Sequence, residues 1–247
     1  MKSRVDFIGI PLDNISMSET LYRIDQAIIS KKQIHHCVIN ASKVVKMQSD
    51  KVLMESVINS DIINADGMSV VWAARFLGYK TKERVAGIDL MENLVRLAHE
   101  KSYSCFFLGA KQEVLEKLVR DYSDKYSKNV IAGFRNGYFY EKDEKEIIKK
   151  IKESNANFLF VAITSPKKEI FLNKYKHELK NINLIMGVGG SFDVISGKVK
   201  RAPLFMQKIG LEWFYRFIQE PRRMWRRYLI GNIKFMIIIF KARFFKS

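Results

Sequence analysis

Asp66 occupies a position where a carboxylate can act on a substrate. In the stretch DIINADGMSVVWAARFLG (residues 61–78) it lies between a short apolar run and a glycine that begins an amphipathic segment. An Asp at the end of a strand can cap the following helix, because Asp is a favoured N-cap residue. It can equally project into a pocket and accept a proton as a general base. The residues of this stretch leave both roles open.

Polar residues and glycines also follow several other apolar runs of the chain. If these runs are parallel strands, their carboxyl ends share one edge of a sheet, and ligands bind in the crevice outside that edge. The segments that follow the runs therefore form one candidate pocket. They are INAS (39–42), NADG (64–67), LGAKQE (108–113), RNGYF (135–139), ITSPKKE (163–169) and GVGGSFD (187–193).

Two of these segments, LGAKQE and GVGGSFD, combine small residues with backbone N–H groups that can bind phosphate. Neither one matches the dinucleotide motif G-x-G-x-x-G or the Walker A motif. The pattern therefore favours a nucleotide or another phosphate-containing ligand without specifying which.

Other reactive residue types argue against alternative chemistries. The sequence has no D-x-D pair, and its four histidines are not spaced as metal ligands, which disfavours a metal-dependent mechanism. Ser165 lacks the G-x-S-x-G context of a hydrolase nucleophile and a His partner. Asp143 and Glu144 belong to a charge run that we interpret as the solvated face of a helix.

Apolar runs that read as strands alternate with amphipathic segments over most of the chain. Helical periodicity is clear in residues 42–60, 111–126 and 141–155. This alternation predicts an α/β domain over residues 1–197, with a Rossmann-like parallel sheet flanked by helices. The candidate strands are VDFIGI, HHCVIN, DIINAD, SCFFLGA, NVIAGF, FLFVAI and NLIMGVGG.

Positive charge is concentrated in residues 198–247. This segment has thirteen Lys and Arg residues against two acidic ones, so it carries +11 of the net charge of +17. It is aromatic and helical in period, and its apolar run FMIIIF is far shorter than the roughly 20 residues that span a bilayer. We predict a helical appendage that lies on an anionic membrane surface.

Two other interpretations of this appendage remain open. Its helices can pack on the core with their charged side in water, or they can bind the phosphates of a nucleic acid. Trp213, Phe214, Tyr215 and Trp225 favour lipid over nucleic acid, because aromatic side chains suit the membrane interface.

The two cysteines and the amino terminus indicate where the protein is found. Cys37 and Cys105 each lie inside a predicted strand, so we expect buried free thiols and a reducing compartment. The first residues, MKSRVDFIGIPLDNIS, lack the apolar core of a secretory signal. Both observations predict a cytoplasmic protein.

Six motifs occur in a fixed order along residues 35–227. They are NADGMSVVWAARFLG, RVAGIDLMENL, FFLGAKQEVLEKL, NGYF, TSPKKEIF and GVGGSFDVISGKVKRAPLFMQKIGLEWFYRFIQEPRR. This ordered set closely resembles the WecG/TagA/CpsF family of bacterial glycosyltransferases. The resemblance implies a Rossmann-like domain with a membrane-targeting appendage, which needs neither a metal ion nor another cofactor.

The same resemblance implies the reaction. Such enzymes transfer an N-acetylmannosamine-type sugar from a UDP donor to a polyprenyl-diphosphate-linked saccharide at the cytoplasmic face of the membrane. Their products include teichoic acid linkage units and enterobacterial common antigen. The resemblance leaves open whether the donor sugar is N-acetylmannosamine or its uronate, and whether the protein is a homo-oligomer.

Particular residues acquire roles from the family pattern. Asp66 corresponds to the general base that deprotonates the acceptor hydroxyl, and Asn40 to a residue of the same pocket. Arg216, Arg223 and Arg226 correspond to appendage arginines that contact the diphosphates. The remaining substrate-binding positions implied by the motifs are Gly67, Arg84, Asp89, Gly109, Asn136, Ser165, Lys168, Glu169, Gly189, Gly190, Asp193 and Arg201.

Three residues depart from that pattern. Val38 stands where a hydroxyl is common, Thr164 replaces a glycine, and Lys168 replaces a glutamine. A lysine at position 168 is predicted to pair with an anionic donor or a phosphate.

Overall fold

A parallel sheet forms the centre of the protein. The computed structural model describes residues 4–245, apart from the side chains of Arg223, Arg226 and Arg227. Six of the described strands form the sheet in the order β4-β3-β8-β7-β5-β6, and every pairing in it is parallel. The strands are β1 Arg4–Phe7, β2 Ile10–Asp13, β3 Ile34–Ile39, β4 Ile62–Ala65, β5 Cys105–Gly109, β6 Ile131–Arg135, β7 Phe158–Ala162 and β8 Leu184–Gly187.

Helices cover both faces of this sheet, which confirms the predicted Rossmann-like α/β class. Along β5 and β7 the side chains alternate, so that Phe107 and Phe160 pack into one apolar cluster and Phe106 and Leu159 into the cluster on the other face. Strands buried on both faces are mostly apolar, which explains the apolar runs of the sequence, although β3 and β4 also bury His35, His36 and Asn64. Cys37 and Cys105 are buried free thiols in β3 and β5, as predicted.

The helices follow the strands in the expected alternation. Two short 3-10 turns, Lys128–Val130 and Glu141–Asp143, precede β6 and α7. The helices are α1 Met17–Ile29, α2 Ala41–Met47, α3 Lys51–Ile58, α4 Met68–Phe76, α5 Gly87–Glu100, α6 Gln112–Lys125, α7 Glu144–Glu153, α8 Lys167–Tyr175, α9 Ser191–Ile195, α10 Leu204–Lys208, α11 Glu212–Gln219, α12 Pro221–Trp225 and α13 Gly231–Phe244.

The predicted first strand, VDFIGI, does not join the parallel sheet. It turns back on itself as the antiparallel hairpin β1–β2. Ile8 and Gly9 at the turn both have positive φ, 50° and 81°, the backbone twist that a two-residue hairpin requires. Asp13 Oδ2 then accepts a hydrogen bond of 2.8 Å from Ile63 N, which fixes the hairpin against β4.

The helical pattern of residues 42–60 is divided between two helices. Asp50 interrupts it by capping α3, since its Oδ1 accepts a hydrogen bond from Leu53 N at 2.9 Å. The patterns at 111–126 and 141–155 are confirmed as α6 and α7.

The interpretation of Glu144 as a solvated residue is wrong. Glu144 is buried and its Oε2 accepts hydrogen bonds of 2.9 Å from Tyr175 Oη and Lys174 Nζ. The carboxylate joins the start of α7 to α8, because both donors lie in the last turn of α8.

The appendage is helical from α10 to α13, with a π-helical turn over Arg226–Ile230. Its last helix packs against α2 and places Phe235 and Ile239 in an apolar cluster shared with β1, β3 and α4. The interpretation in which the appendage packs on the core is therefore correct for one face of α13. Among residues 4–245, no helix combines the length and apolar character needed to cross a bilayer.

Gly109 occupies a point where two strand exits approach closely. Its φ is +140°, and a Cβ at this position would lie 2.5 Å from the carbonyl oxygen of Ala162. Only glycine fits this conformation and this contact. The exits of β5 and β7 can therefore approach this closely because Gly109 has no side chain.

Gly109→Ala is expected to lower the free energy of unfolding by at least about 2 kcal/mol, because backbone strain and overpacking each cost about 1–3 kcal/mol. Urea denaturation measures the loss. The matched control is Gly190→Ala, where φ is ordinary and no atom lies within 4 Å of the added methyl group. Equal stability of the two variants would contradict this interpretation of Gly109.

Candidate active site

The exits of β3 and β4 meet at the carboxyl edge of the sheet. Asp66 N donates a hydrogen bond of 2.9 Å to Ile39 O, and a Cβ placed on Gly67 would lie 3.7 Å from Asn40 Cβ. Asn40 caps α2 by accepting a hydrogen bond from Lys43 N at 3.0 Å. The structure therefore brings Asn40, Asp66 and Gly67 together, as the family pattern implies.

Asp66 does not cap the helix that follows it. Gly67 is the N-cap of α4 and makes no side-chain hydrogen bond. Asp66 Oδ1 instead accepts a hydrogen bond of 3.1 Å from Gly87 N, the first residue of α5. Oδ2 accepts no hydrogen bond from the part of the chain that the structure describes, and the residue is partly exposed. One oxygen thus orients the carboxylate and the other remains available to a substrate.

The surroundings of Asp66 raise the pKa of its carboxyl group. Burial is the largest cause, and the negative charge of Glu212 acts in the same direction. Arg84, the Gly87 amide and Arg216 oppose the shift without cancelling it. A carboxylate with a raised pKa is a stronger proton acceptor, as a general base requires.

Two ion pairs fix the appendage beside Asp66. Arg84 Nη2 lies 2.7 Å from Glu212 Oε2 on α11, and the two side chains are only 14% and 18% exposed. Arg201 Nη1 lies 2.6 Å from Asp89 Oδ1 on α5. Both pairs join the appendage to the segment that contains Gly87, so the position of the appendage and that of Asp66 are linked.

A close contact with α4 completes this attachment. Gly210 has a φ of +76°, and a Cβ there would lie 2.7 Å from the Trp72 ring and 2.9 Å from Met68 Cβ. The turn between α10 and α11 therefore lies directly on the first two turns of α4, which begins one residue after Gly67. The appendage forms one side of the candidate site.

Arg216 is the appendage arginine whose charge the structure places near Asp66. Its charge acts on the Asp66 carboxylate, and among the described residues no acidic side chain pairs with it. It is thus free to bind an anion. The predicted diphosphate contacts of Arg223 and Arg226 concern side chains that lie outside the described residues.

A buried charge cluster underlies the glycine-rich exit of β8. Glu169 Oε1 lies 2.7 Å from Lys43 Nζ and 2.5 Å from Lys168 Nζ, and all three residues are buried. The Lys168 chain lies 3.1 Å from where a Cβ on Gly187 would be. Lys168 and Glu169 were expected to contact substrate directly, and in this structure they lie beneath the loop and contact each other.

The cluster carries an excess of one positive charge. Burial raises the pKa of Glu169, whereas the two lysines lower it. The effect of the lysines is larger, so the pKa falls to about 2. Burial and the neighbouring Lys43 lower the pKa of Lys168. Burial opposes a charged Lys43, yet Cys37 and Glu169 hold its pKa above the usual value. Two lysines thus share one carboxylate beneath the exits of β3 and β8.

Comparison with known proteins places the chain in a family. The model of the glycosyl transferase WecG/TagA/CpsF family matches residues 5–247. The chain belongs to this family. It is therefore a glycosyltransferase, and the interpretation of the basic appendage as a nucleic-acid-binding segment is not favoured.

Two curated members of the family are similar to this glycosyltransferase over most of its length. Both are called N-acetylglucosaminyldiphosphoundecaprenol N-acetyl-beta-D-mannosaminyltransferase. The protein of Bacillus spizizenii strain W23 is 39% identical over 176 residues, which are 71% of this chain and 67% of the relative. The protein of Bacillus subtilis strain 168 is 37% identical over 180 residues, which are 73% of this chain and 69% of the relative.

The remaining predicted site residues of the glycosyltransferase lie along the same edge of the sheet. Asn136 Nδ2 donates a hydrogen bond of 3.0 Å to Gln112 Oε1, which joins the exits of β5 and β6 beside Gly109. Asp193 forms an ion pair of 3.2 Å with Lys198. The Ser165 side chain makes none of the hydrogen bonds seen in the described part of the chain. A Cβ placed on Gly190 would meet no atom within 4 Å.

Sequence reasoning missed residues whose roles depend on packing. Lys43, Glu212 and Gly210 acquire their contacts from chain segments that are distant in sequence. The only sequence signal was the placement of Gly210 and Glu212 inside a recognised motif. No group of three or more His, Cys, Asp or Glu side chains suited to a metal ion occurs within the described ranges.

Glu169→Gln in this glycosyltransferase is expected to lower the free energy of unfolding at pH 7 by about 3–5 kcal/mol, because two buried lysines lose their counter-ion. The stabilising effect of Glu169 is complete above its unfolded pKa of 4.5 and is lost as the pH falls toward about 2. Urea denaturation at pH 7 and pH 3 measures both effects.

The variant should therefore show a smaller loss of stability on acidification than the wild type. Glu178→Gln is the matched control, since Glu178 is exposed on the surface. A variant that unfolds like this control at pH 7 would contradict the ion-pair assignment.

Proposed function

We propose that this glycosyltransferase transfers an N-acetylmannosamine-type sugar from a UDP donor to a polyprenyl-diphosphate-linked N-acetylglucosamine acceptor. The names of the two Bacillus relatives support both the sugar and the acceptor. The observation that carries the proposal is the Asp66 carboxylate, held through one oxygen by Gly87 N and available through the other. The product would enter the synthesis of teichoic acid or a related surface polysaccharide.

Asp66 acts as the general base in this proposal. The acceptor hydroxyl gives its proton to the carboxylate as its oxygen attacks the anomeric carbon of the donor sugar. The bond from that carbon to the UDP oxygen breaks, so the configuration inverts and UDP leaves with the bonding electrons. The raised pKa of Asp66 supports this assignment, because proton transfer is more favourable to a stronger base.

Cationic side chains stabilise the diphosphate that departs. Arg216 acts electrostatically on Asp66 and lacks an acidic partner among the described residues, so it is suited to bind a phosphate oxygen. The Lys43–Glu169–Lys168 cluster adds a positive field beneath Gly187 and Gly189. Lys168 thus favours an anionic donor through its charge instead of through direct contact. In this scheme these side chains do the work of a divalent ion.

The acceptor's lipid requires the reaction to occur at a membrane surface. We infer that the protein associates peripherally with the cytoplasmic face through its appendage. Support comes from exposed apolar side chains on that appendage, among them Phe205, Ile218, Trp225 and Phe244. The concentration of positive charge in residues 198–247 supports an anionic surface.

The reaction itself is tested with a panel of UDP-sugars and a short, water-soluble prenyl-diphosphate N-acetylglucosamine. Mass spectrometry of the products should show one added N-acetylhexosamine and release of UDP. Retention of activity in excess EDTA is expected, because the proposed charge stabilisation comes from side chains. Absence of transfer from every UDP-sugar in the panel would contradict the proposed function.

Asp66→Asn is expected to reduce kcat by about two to four orders of magnitude, the usual contribution of a general base. The amide oxygen of Asn can still accept the hydrogen bond from Gly87 N, so the fold and UDP binding should persist. Single-turnover kinetics and a UDP titration measure the two effects separately. A variant with near-normal kcat would remove Asp66 from the mechanism.

Glu212→Gln is expected to move the acidic limb of the pH profile of kcat/KM to lower pH. Glu212 raises the pKa of Asp66, and the variant removes that negative charge. Activity requires ionised Asp66, so a lower pKa extends activity into more acidic solution. The position of the limb is measured against Glu178→Gln, which should leave it unchanged. A limb at the wild-type pH in both variants would show that Glu212 does not act on the base.

A further inference from the structure

Helix α4 of the α/β domain exposes a short apolar face. Trp72 is 50% exposed and Phe76 is 43% exposed, and the two side chains lie one turn apart. The opposite face of α4, with Val70, Val71 and Ala74, is buried in the core. An exposed Trp and Phe on the same helix face indicate an interaction surface that other apolar groups cover.

This face is continuous with both ends of the appendage. Near the beginning of the appendage, Gly210 lies against Trp72 of α4. Near the end of the appendage, the rings of Phe240 and Phe244 lie 5.5 Å and 6.2 Å from the ring of Phe76. Helix α4 therefore contacts both the turn that follows α10 and helix α13, and its exposed Phe76 continues the apolar surface of α13.

Helix α13 shows that this surface has a partner outside the molecule. Phe235 and Ile239 occupy its inner face, whereas Ile237, Phe240 and Phe244 are exposed on the outside. Apolar side chains clustered on the outer face of a helix are normally covered. The outer face of α13 thus requires an apolar cover that the described part of the chain does not provide.

The charges around the surface identify that cover. Lys234, Lys241 and Arg243 are exposed on α13, and no acidic side chain pairs with them among the described residues. A second copy of a chain with a net charge of +17 would be repelled. An anionic bilayer supplies both the negative charge and the apolar phase, and long lysine and arginine side chains can extend to its headgroups.

We propose that α4 of the catalytic domain is itself part of the membrane-binding surface, with Trp72 and Phe76 at the boundary between headgroups and acyl chains of an anionic bilayer. This inference rests on the membrane association in the proposed function. Trp72 is six positions after Asp66 in the chain and lies in the second turn of α4. The base then lies close to the headgroup layer, where the diphosphate of a lipid-linked acceptor is found.

The depth of Trp72 in a bilayer tests the proposal directly. The chain has three tryptophans, so the variant Trp213→Phe/Trp225→Phe leaves Trp72 as the only one. With phosphatidylglycerol vesicles that contain brominated lipids, its emission should shift to shorter wavelength and lose most of its intensity. Bromines near the headgroup should quench most strongly. Vesicle-bound protein whose emission neither shifts nor is quenched would overturn the proposal.

A labelled cysteine gives the same information if the tryptophan variant does not fold. Trp72→Cys accepts a nitroxide label selectively, because the native Cys37 and Cys105 are buried. The label should become inaccessible to an aqueous relaxant when vesicles are added. The control label at Lys149→Cys on α7 should remain accessible, since Lys149 is exposed far from the appendage contacts. Equal accessibility at the two sites would contradict the proposed orientation.

Binding and catalysis can be separated with a further pair of variants. Phe76→Gln should raise the vesicle concentration needed for half-maximal binding by about tenfold, a difference of roughly 1.4 kcal/mol. The control Tyr22→Gln alters an aromatic residue on α1 that is even more exposed, at 65%, and should not change that concentration. Transfer to the water-soluble acceptor without vesicles reports the proposed function alone. If wild-type transfer fails while Trp72 is quenched, the proposed function is wrong and the membrane-binding surface stands. If transfer succeeds while Phe76→Gln and Tyr22→Gln bind vesicles equally well, the surface is wrong and the function stands.

Discussion

The hydrogen bond between Gly87 N and Asp66 Oδ1 is the contact on which the candidate site depends. It joins the exit of β4 to the first residue of α5, and it holds the carboxylate with one oxygen committed and one uncommitted. A second amide donor would stabilise the ionised form further and lower the pKa of the carboxyl group. With one such bond, burial and the Glu212 charge outweigh the cations, and the pKa rises. The arrangement therefore balances orientation against basicity.

The segment that includes Gly87 also carries the attachment of the appendage. Arg84 lies three residues before Gly87 and binds Glu212, and Asp89 lies two residues after it and binds Arg201. A movement of the appendage would thus act on both sides of the amide that orients Asp66. This coupling explains how the appendage can influence Asp66 at the sheet edge through the segment around Gly87.

The sheet could be predicted from the sequence because its strands are buried on both faces, and continuous apolar runs such as FLFVAI have few alternatives. Local geometry overrode the pattern at two places. Positive φ angles at Ile8 and Gly9 turned the first run into a hairpin, and the Asp50 cap divided the helix that follows β3. Both features depend on single residues that periodicity does not register.

The candidate site could be predicted less completely for a physical reason. Asp66 and Asn40 follow neighbouring strands, so the topology of a parallel sheet alone brings them together. The partners of Asp66 and of Lys168 come from packing between distant segments, as in the Arg84–Glu212 and Lys43–Glu169 pairs. Lys168 illustrates the difference. The family pattern identified its position, whereas only the fold shows that Glu169 already neutralises one of the two buried lysines.

The few acidic residues of the appendage are as informative as its many basic ones. In a segment with a net charge of +11, Glu212 is one of two carboxylates, and it lies in a partly buried pair with Arg84, where its charge acts on Asp66. A segment selected only to bind anionic lipid would gain from a neutral or basic residue at this position, because each cation near the surface contributes about 1 kcal/mol. The retained negative charge acts inward, on Arg84 and Asp66. The appendage thus presents positive charge to solvent, whereas toward the candidate site its Glu212 raises and its Arg216 lowers the pKa of Asp66.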